Sequence, residues 1–173
     1  MLNFKESHQL IPQVTFANVI GQDNGSFSRL LFIDRGSRDR IERYAPVFTP
    51  NGIAGRVISL SPFSAKVMLI TDRHSACDVM IQRTRERGIL QGENRELCRL
   101  NYLLQSSQVR AGDVVVTSGM DGVFPKGMPV GTVVAVRKQS NSLSQVVMVQ
   151  PFADLKQMEE VLVGATAAAA QPH

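Results

Sequence analysis

Short runs of β-branched and aliphatic residues, each closed by glycine, proline, asparagine or serine, recur along nearly the whole chain. They occupy residues 14–20, 28–33, 45–49, 54–60, 66–71, 78–82, 88–90, 97–103, 113–117, 131–138 and 144–150. Strands this short, at this spacing and with such turns between them, predict a barrel or a sandwich. Helical periodicity is nearly absent. Residues 152–158 read as one or two helical turns, and residues 1–9 as the end of a helix.

Four of these runs repeat. Leu30-Leu31-Phe32-Ile33, Pro46-Val47-Phe48-Thr49, Ile53-Ala54-Gly55-Arg56-Val57 and Lys66-Val67-Met68-Leu69-Ile70 form the first copy. Leu97-Cys98-Arg99-Leu100, Val114-Val115-Val116-Thr117, Pro129-Val130-Gly131-Thr132-Val133 and Gln145-Val146-Val147-Met148-Val149 form the second. A repeat of roughly 65 residues predicts two similar small β-domains, not a solenoid. Gly55 and Gly131 fall at matching places inside strand patterns, where glycine marks a bulge or a barrel corner. Gly36, Gly52, Gly119, Gly122 and Gly127 read as structural turn residues. Thr49 to Gly55 is six residues and Thr117 to Gly131 is fourteen, so the second copy carries an eight-residue insertion. Phe124 and Met128 lie in that longer loop. Either Phe124 folds back to plug its own barrel, or the loop presents Phe124 and Met128 to a partner as candidate contacts.

The search for chemistry returns little. Gly122 to Gly127 has the GxxxxG spacing of a phosphate loop, but Met128 and Pro129 stand where lysine and serine or threonine belong. Ser118 lacks the GxSxG frame, because Val116 holds the first glycine's place. His74 is the one histidine away from the chain ends, so a serine hydrolase would need a spatial arrangement such as Ser118–His74–Asp34, although His74 reads as a turn residue between strands. His74 and Cys77 have HxxC spacing without a second ligand pair, so neither a metal nor a cofactor is expected. Cys77 and Cys98 either pair in an oxidising compartment or sit as two small buried hydrophobes. The net charge is +4, and the basic residues are scattered, densest at Arg35, Arg38, Arg40 and Arg43 and then at Arg83, Arg85 and Arg87. A nucleic-acid binder would show a stronger basic stripe interleaved with aromatics, so no nucleic-acid partner is expected. The chain has no run of 18 apolar residues, so none of it reads as a membrane-spanning helix.

Several stretches resemble the rod shape-determining MreC family. They are GDVVVTSGMDGVFPKGMPVGTVVAV (112–136), FIDRGSRDRI (32–41), NGIAGRVISLSPFSAKVMLITD (51–72) and PFADLKQMEEVLV (151–163), and they match in order. The resemblance implies an all-β fold of two six-stranded barrels, similar to those of chymotrypsin-like proteases but without the triad. It implies a first barrel over 14–75 and a second over 76–163, with an exchange of strands between them left open. Residues 1–13 would end a coiled coil or form a linker, and 164–173 would be a disordered tail. A preceding transmembrane helix would supply the only membrane contact, at the periplasmic face of the inner membrane. The implied function is non-enzymatic: a scaffold of the elongasome that self-associates as a dimer or filament. Its implied partners are penicillin-binding protein 2, MreD, RodA and, through the membrane, MreB. Exposed strand edges are candidates for strand addition between copies. The alternative reading is a degenerate chymotrypsin-like serine hydrolase.

Overall fold

The computed structural model describes residues 14–104, 107–138 and 144–165. The expected coiled-coil remnant at 1–13 and most of the expected tail at 164–173 lie outside the described residues. Twelve strands follow one another: β1 (Val14–Asp23), β2 (Leu30–Ile33), β3 (Pro46–Thr49), β4 (Gly52–Leu60), β5 (Ala65–Leu69), β6 (Ala76–Ile81), β7 (Arg87–Gln91), β8 (Cys98–Leu104), β9 (Val114–Thr117), β10 (Pro129–Lys138), β11 (Ser144–Pro151) and β12 (Glu160–Gly164). All pairings are antiparallel, and they close into two six-stranded barrels.

The barrels do not divide the chain at a single point. Around the first ring the order is β12-β1-β2-β5-β4-β3, and around the second it is β6-β7-β8-β11-β10-β9. The two rings are the same arrangement. The strand that leads the second barrel, β6, has β12 as its counterpart in the first. Residues 160–164 therefore complete the first barrel and not the second, which corrects a second barrel running to 163. The second barrel is inserted between β5 and β12. Leu162 faces Phe16 of β1 on one side and Phe48 of β3 on the other. The sequence predicts one or two helical turns over 152–158, ahead of β12, but these residues form turns and bends. Three of their residues, Ala153, Leu155 and Met158, are buried without forming a helix. The ends of the connection are tied to different barrels, with Phe152 N–H donating to Val130 O and Val19 N–H donating to Glu159 O.

The repeat corresponds to strands β2–β5 and β8–β11. In each copy the long strand carries two register shifts at matching positions, at Ala54 and Ile58 in β4 and at Val130 and Val134 in β10. Each glycine after the first shift allows a close approach by the neighbouring strand. A Cβ on Gly55 would stand 2.1 Å from Met68 O, and one on Gly131 would stand 2.3 Å from Gln150 O. Bulges of this kind bend a long strand around a barrel corner. Closure gives every strand a hydrogen-bonded neighbour on each side, so no strand stands as a free edge; the pairing is staggered, with Val14–Asn18 of β1 laddered to β12 and Val19–Asp23 to β2.

The joint between barrels is a polar lock. Asp72 accepts the backbone N–H groups of Arg29 at 2.8 Å and His74 at 2.8 Å. Asn94 N–H donates to Thr71 O, its Oδ1 accepts from Arg73 N–H, its Nδ2 donates to Ser26 O and its carbonyl accepts from Arg29 Nη2. One side chain thereby ties the β1–β2 hairpin, the link between the barrels and the β7–β8 connection. The apolar interiors of both barrels merge into one contiguous core.

Replacing Gly55 or Gly131 by alanine forces the opposing strand away and is expected to cost roughly 3 kcal/mol or more. Urea denaturation checks this; a loss below about 1 kcal/mol at both sites contradicts the close-approach explanation.

Candidate interaction surfaces

The long loop of the second copy starts from a threonine switch shared by both barrels. Thr49 Oγ1 accepts the N–H groups of Asn51 and Gly52 at 3.2 and 3.3 Å. Thr117 Oγ1 accepts the N–H of Met128 at 2.8 Å and donates to Pro125 O. The same hydroxyl therefore closes a tight turn in one copy and the neck of a longer loop in the other. Gly119, Gly122 and Gly127 take φ of +78°, +73° and +89° inside that loop, a region where side chains other than glycine are strained. Gly36 and Gly52 serve differently, since a Cβ on either would meet backbone: Ser61 O at 2.1 Å and Pro129 O at 2.9 Å.

Asp78 of β6 anchors the loop. Its carboxylate accepts Ser118 Oγ at 2.6 Å and Arg87 Nη2 at 2.9 Å, and its carbonyl accepts Ser118 N–H. Asp121 caps the far turn by accepting Val123 and Phe124 N–H groups. Held this way, the loop turns Phe124 and Met128 into the core, at 3% and 6% exposure. They are not surface contacts, which corrects their reading as candidate partner residues. The loop presents Met120 instead, 65% exposed.

A hydrolase site is not assembled. Ser118 is buried and donates to Asp78; His74 Nδ1 lies 3.2 Å from Asp72; Asp34 accepts from Asn18 and pairs with Arg35. Each of the three candidates is engaged with a different group. Cys77 and Cys98 are free and buried, and burial pushes the Cys98 thiol up to about 12 and the Cys77 thiol well above its ordinary value. Cys98 Sγ donates to Ile70 O. The pairing alternative is not realised, and neither thiol has the character of a nucleophile or ligand. The clearest charge pairing lies at the base of β9, where Arg83 grips Asp113 with Nε and Nη2 at 2.8 and 2.9 Å and holds its carboxyl below the usual range.

What the surface offers is contact area. On β1, Phe16 and Ile20 point outward at 61% and 62% exposure, and Phe27 stands on the adjoining hairpin. Phe32 of β2 pairs with Gly21, which leaves no side chain over its ring edge, and Lys66 sits over that ring. On the second barrel, Tyr102 and Leu104 project from β8. Alternation along each strand is visible in the sequence, but which alternate faces outward depends on barrel closure, so these residues carry no local signal of their own.

Because Phe124 is core, Phe124→Ala should destabilise by about 3–5 kcal/mol, whereas Met120→Ala should change stability by about 0.5 kcal/mol or less. Equal melting temperatures for the two variants would contradict the inward placement.

Comparison with known proteins matches this architecture. The family described as rod shape-determining protein MreC, barrel core, matches residues 19–165. The cell shape-determining protein MreC of Caulobacter vibrioides is 40% identical over 118 residues, covering 68% of this chain and 34% of that relative. The chain thus spans about a third of that relative's length. The crystal structure of MreC from Pseudomonas aeruginosa superposes with a TM-score of 0.84 at 32% identity, covering 87% of this chain and 98% of that one. A chain in the complex between Penicillin-Binding Protein (PBP2) and MreC from Helicobacter pylori shares the fold at 18% identity and a TM-score of 0.58, covering 88% of this chain and 99% of that one. With two closed barrels and a family match across most of its length, this chain belongs to the MreC family of rod shape-determining proteins.

Proposed function

We propose that this chain is a non-enzymatic scaffold at the periplasmic face of the inner membrane, serving cell elongation and rod shape. It self-associates and holds the transpeptidase penicillin-binding protein 2; MreD, RodA and, across the membrane, MreB complete its partners. The observation that carries this reading is the combination of a doubly tied two-barrel body with exposed apolar rows and a serine locked into Asp78. A rigid body presents its contact residues without an ordering cost, which suits a scaffold. Family membership supports the role in cell shape, and the Helicobacter pylori complex supports the transpeptidase as partner. Scaffolding acts on an enzyme only by favouring one of its conformers, so regulation here means tighter binding to one state of the transpeptidase.

The immobilised chain is expected to capture the purified periplasmic region of penicillin-binding protein 2 while a fluorophosphonate probe leaves Ser118 unlabelled. Failure of capture together with covalent labelling of Ser118 would reverse the reading in favour of a hydrolase.

A further inference from the structure

Tyr102 and Tyr44 are the two exposed aromatics with a left-handed backbone among the described residues, and Tyr102 is the more exposed. It is 76% exposed and sits on β8 with φ of +71°. The register explains its place: Leu103 faces Gln145 and Leu100 faces Val147, so β8 holds one residue more than β11 across the same span. Extra residues at such bulges often take the left-handed conformation, and glycine fills them without strain. A large aromatic there is an outlier, and strain of this type clusters where it serves binding.

An open cleft of about 550 Å³ surrounds it, lined among others by Arg73, Gln91, Arg99 and Asn101, with Glu93 as the one acidic group. Asn101 Nδ2 donates to Gln91 Oε1 at 3.0 Å, which fixes a polar pair within the cleft. Among the described residues neither Arg73 nor Arg99 forms an ion pair, whereas Arg35, Arg83 and Arg87 each do. Arg99 Nε is buried without an acceptor. Two arginines against one glutamate leave the lining with a net charge of +1. Sequence order scatters these groups over positions 73 to 102; the β7–β8 pairing and the joint between barrels bring them together.

The geometry points to this cleft as a docking site for an acidic segment of a protein partner. A carboxylate enters between Arg73 and Arg99, and the aliphatic or aromatic part of the segment packs on the Tyr102 ring. Arginine forks match carboxylates, and tyrosine and arginine are the residue types that dominate binding at interfaces. The assignment rests on the scaffold reading, with penicillin-binding protein 2 as the partner that carries the segment.

The test titrates the periplasmic region of penicillin-binding protein 2 into the wild-type chain, Tyr102→Gly and the Arg73→Ala/Arg99→Ala pair, at two salt concentrations. Tyr102→Gly is expected to weaken binding about tenfold or more with a melting temperature equal to or above that of the wild type. The arginine pair is expected to weaken it similarly and to flatten the salt dependence. Wild-type affinity and salt dependence in both variants would overturn the docking site and leave the scaffold standing. Loss of binding that merely follows a lowered melting temperature in both variants would also overturn it. No binding by the wild-type chain would overturn both readings.

Discussion

The pairing of β12 with β1 and β3 is the constraint on which the rest of the structure depends. Without it the first barrel is a five-stranded sheet with two open edges, β1 and β3. With it, the second barrel is held by two connections instead of one. Residues 70–75 leave the first barrel and residues 152–159 return to it, each bonded to its surroundings by backbone groups. Asp72 and Asn94 then fix the joint with bonds to segments far apart in the chain. A hinge needs few contacts across it; this joint has many, and the two interiors share one core.

Duplication explains much of the remainder. Both barrels use the same ring order, the same paired register shifts and the same close-approach glycine, at Gly55 and Gly131. The copies differ where one has room to differ. A two-residue connection after Thr49 becomes a loop of 118–127 after Thr117, and the extra length buries Phe124 and exposes Met120. The serine in that loop looks nucleophilic beside glycine, yet its hydroxyl is spent on Asp78.

Much of this fold was legible because β-branched runs and glycine or proline turns are local signals. Eleven of the twelve strands coincide with runs visible in the sequence, and the repeat identified the matching glycines. Three features were not legible, for one shared reason. The membership of Glu160–Gly164 in the first barrel, the choice between the inward and outward readings of Phe124, and the gathering of Arg73, Arg99 and Tyr102 are each decided by partners distant in sequence. Local propensity carries no information about them. The φ of Tyr102 is hidden in the same way, since a tyrosine within a strand pattern gives no sign of a bulge.

Function follows from what closure leaves over. No strand stands as a free edge, both thiols are buried, the serine is bonded to Asp78, and the outward rows of β1 and β8 present area for contact. The most direct test of this account is hydrogen exchange on a chain ending at residue 159. Loss of β12 is predicted to abolish protection in β1 and β3 while β8, β10 and β11 keep theirs. Undiminished protection in β1 and β3 would contradict the claim that the C-terminal strand holds the two-barrel body together.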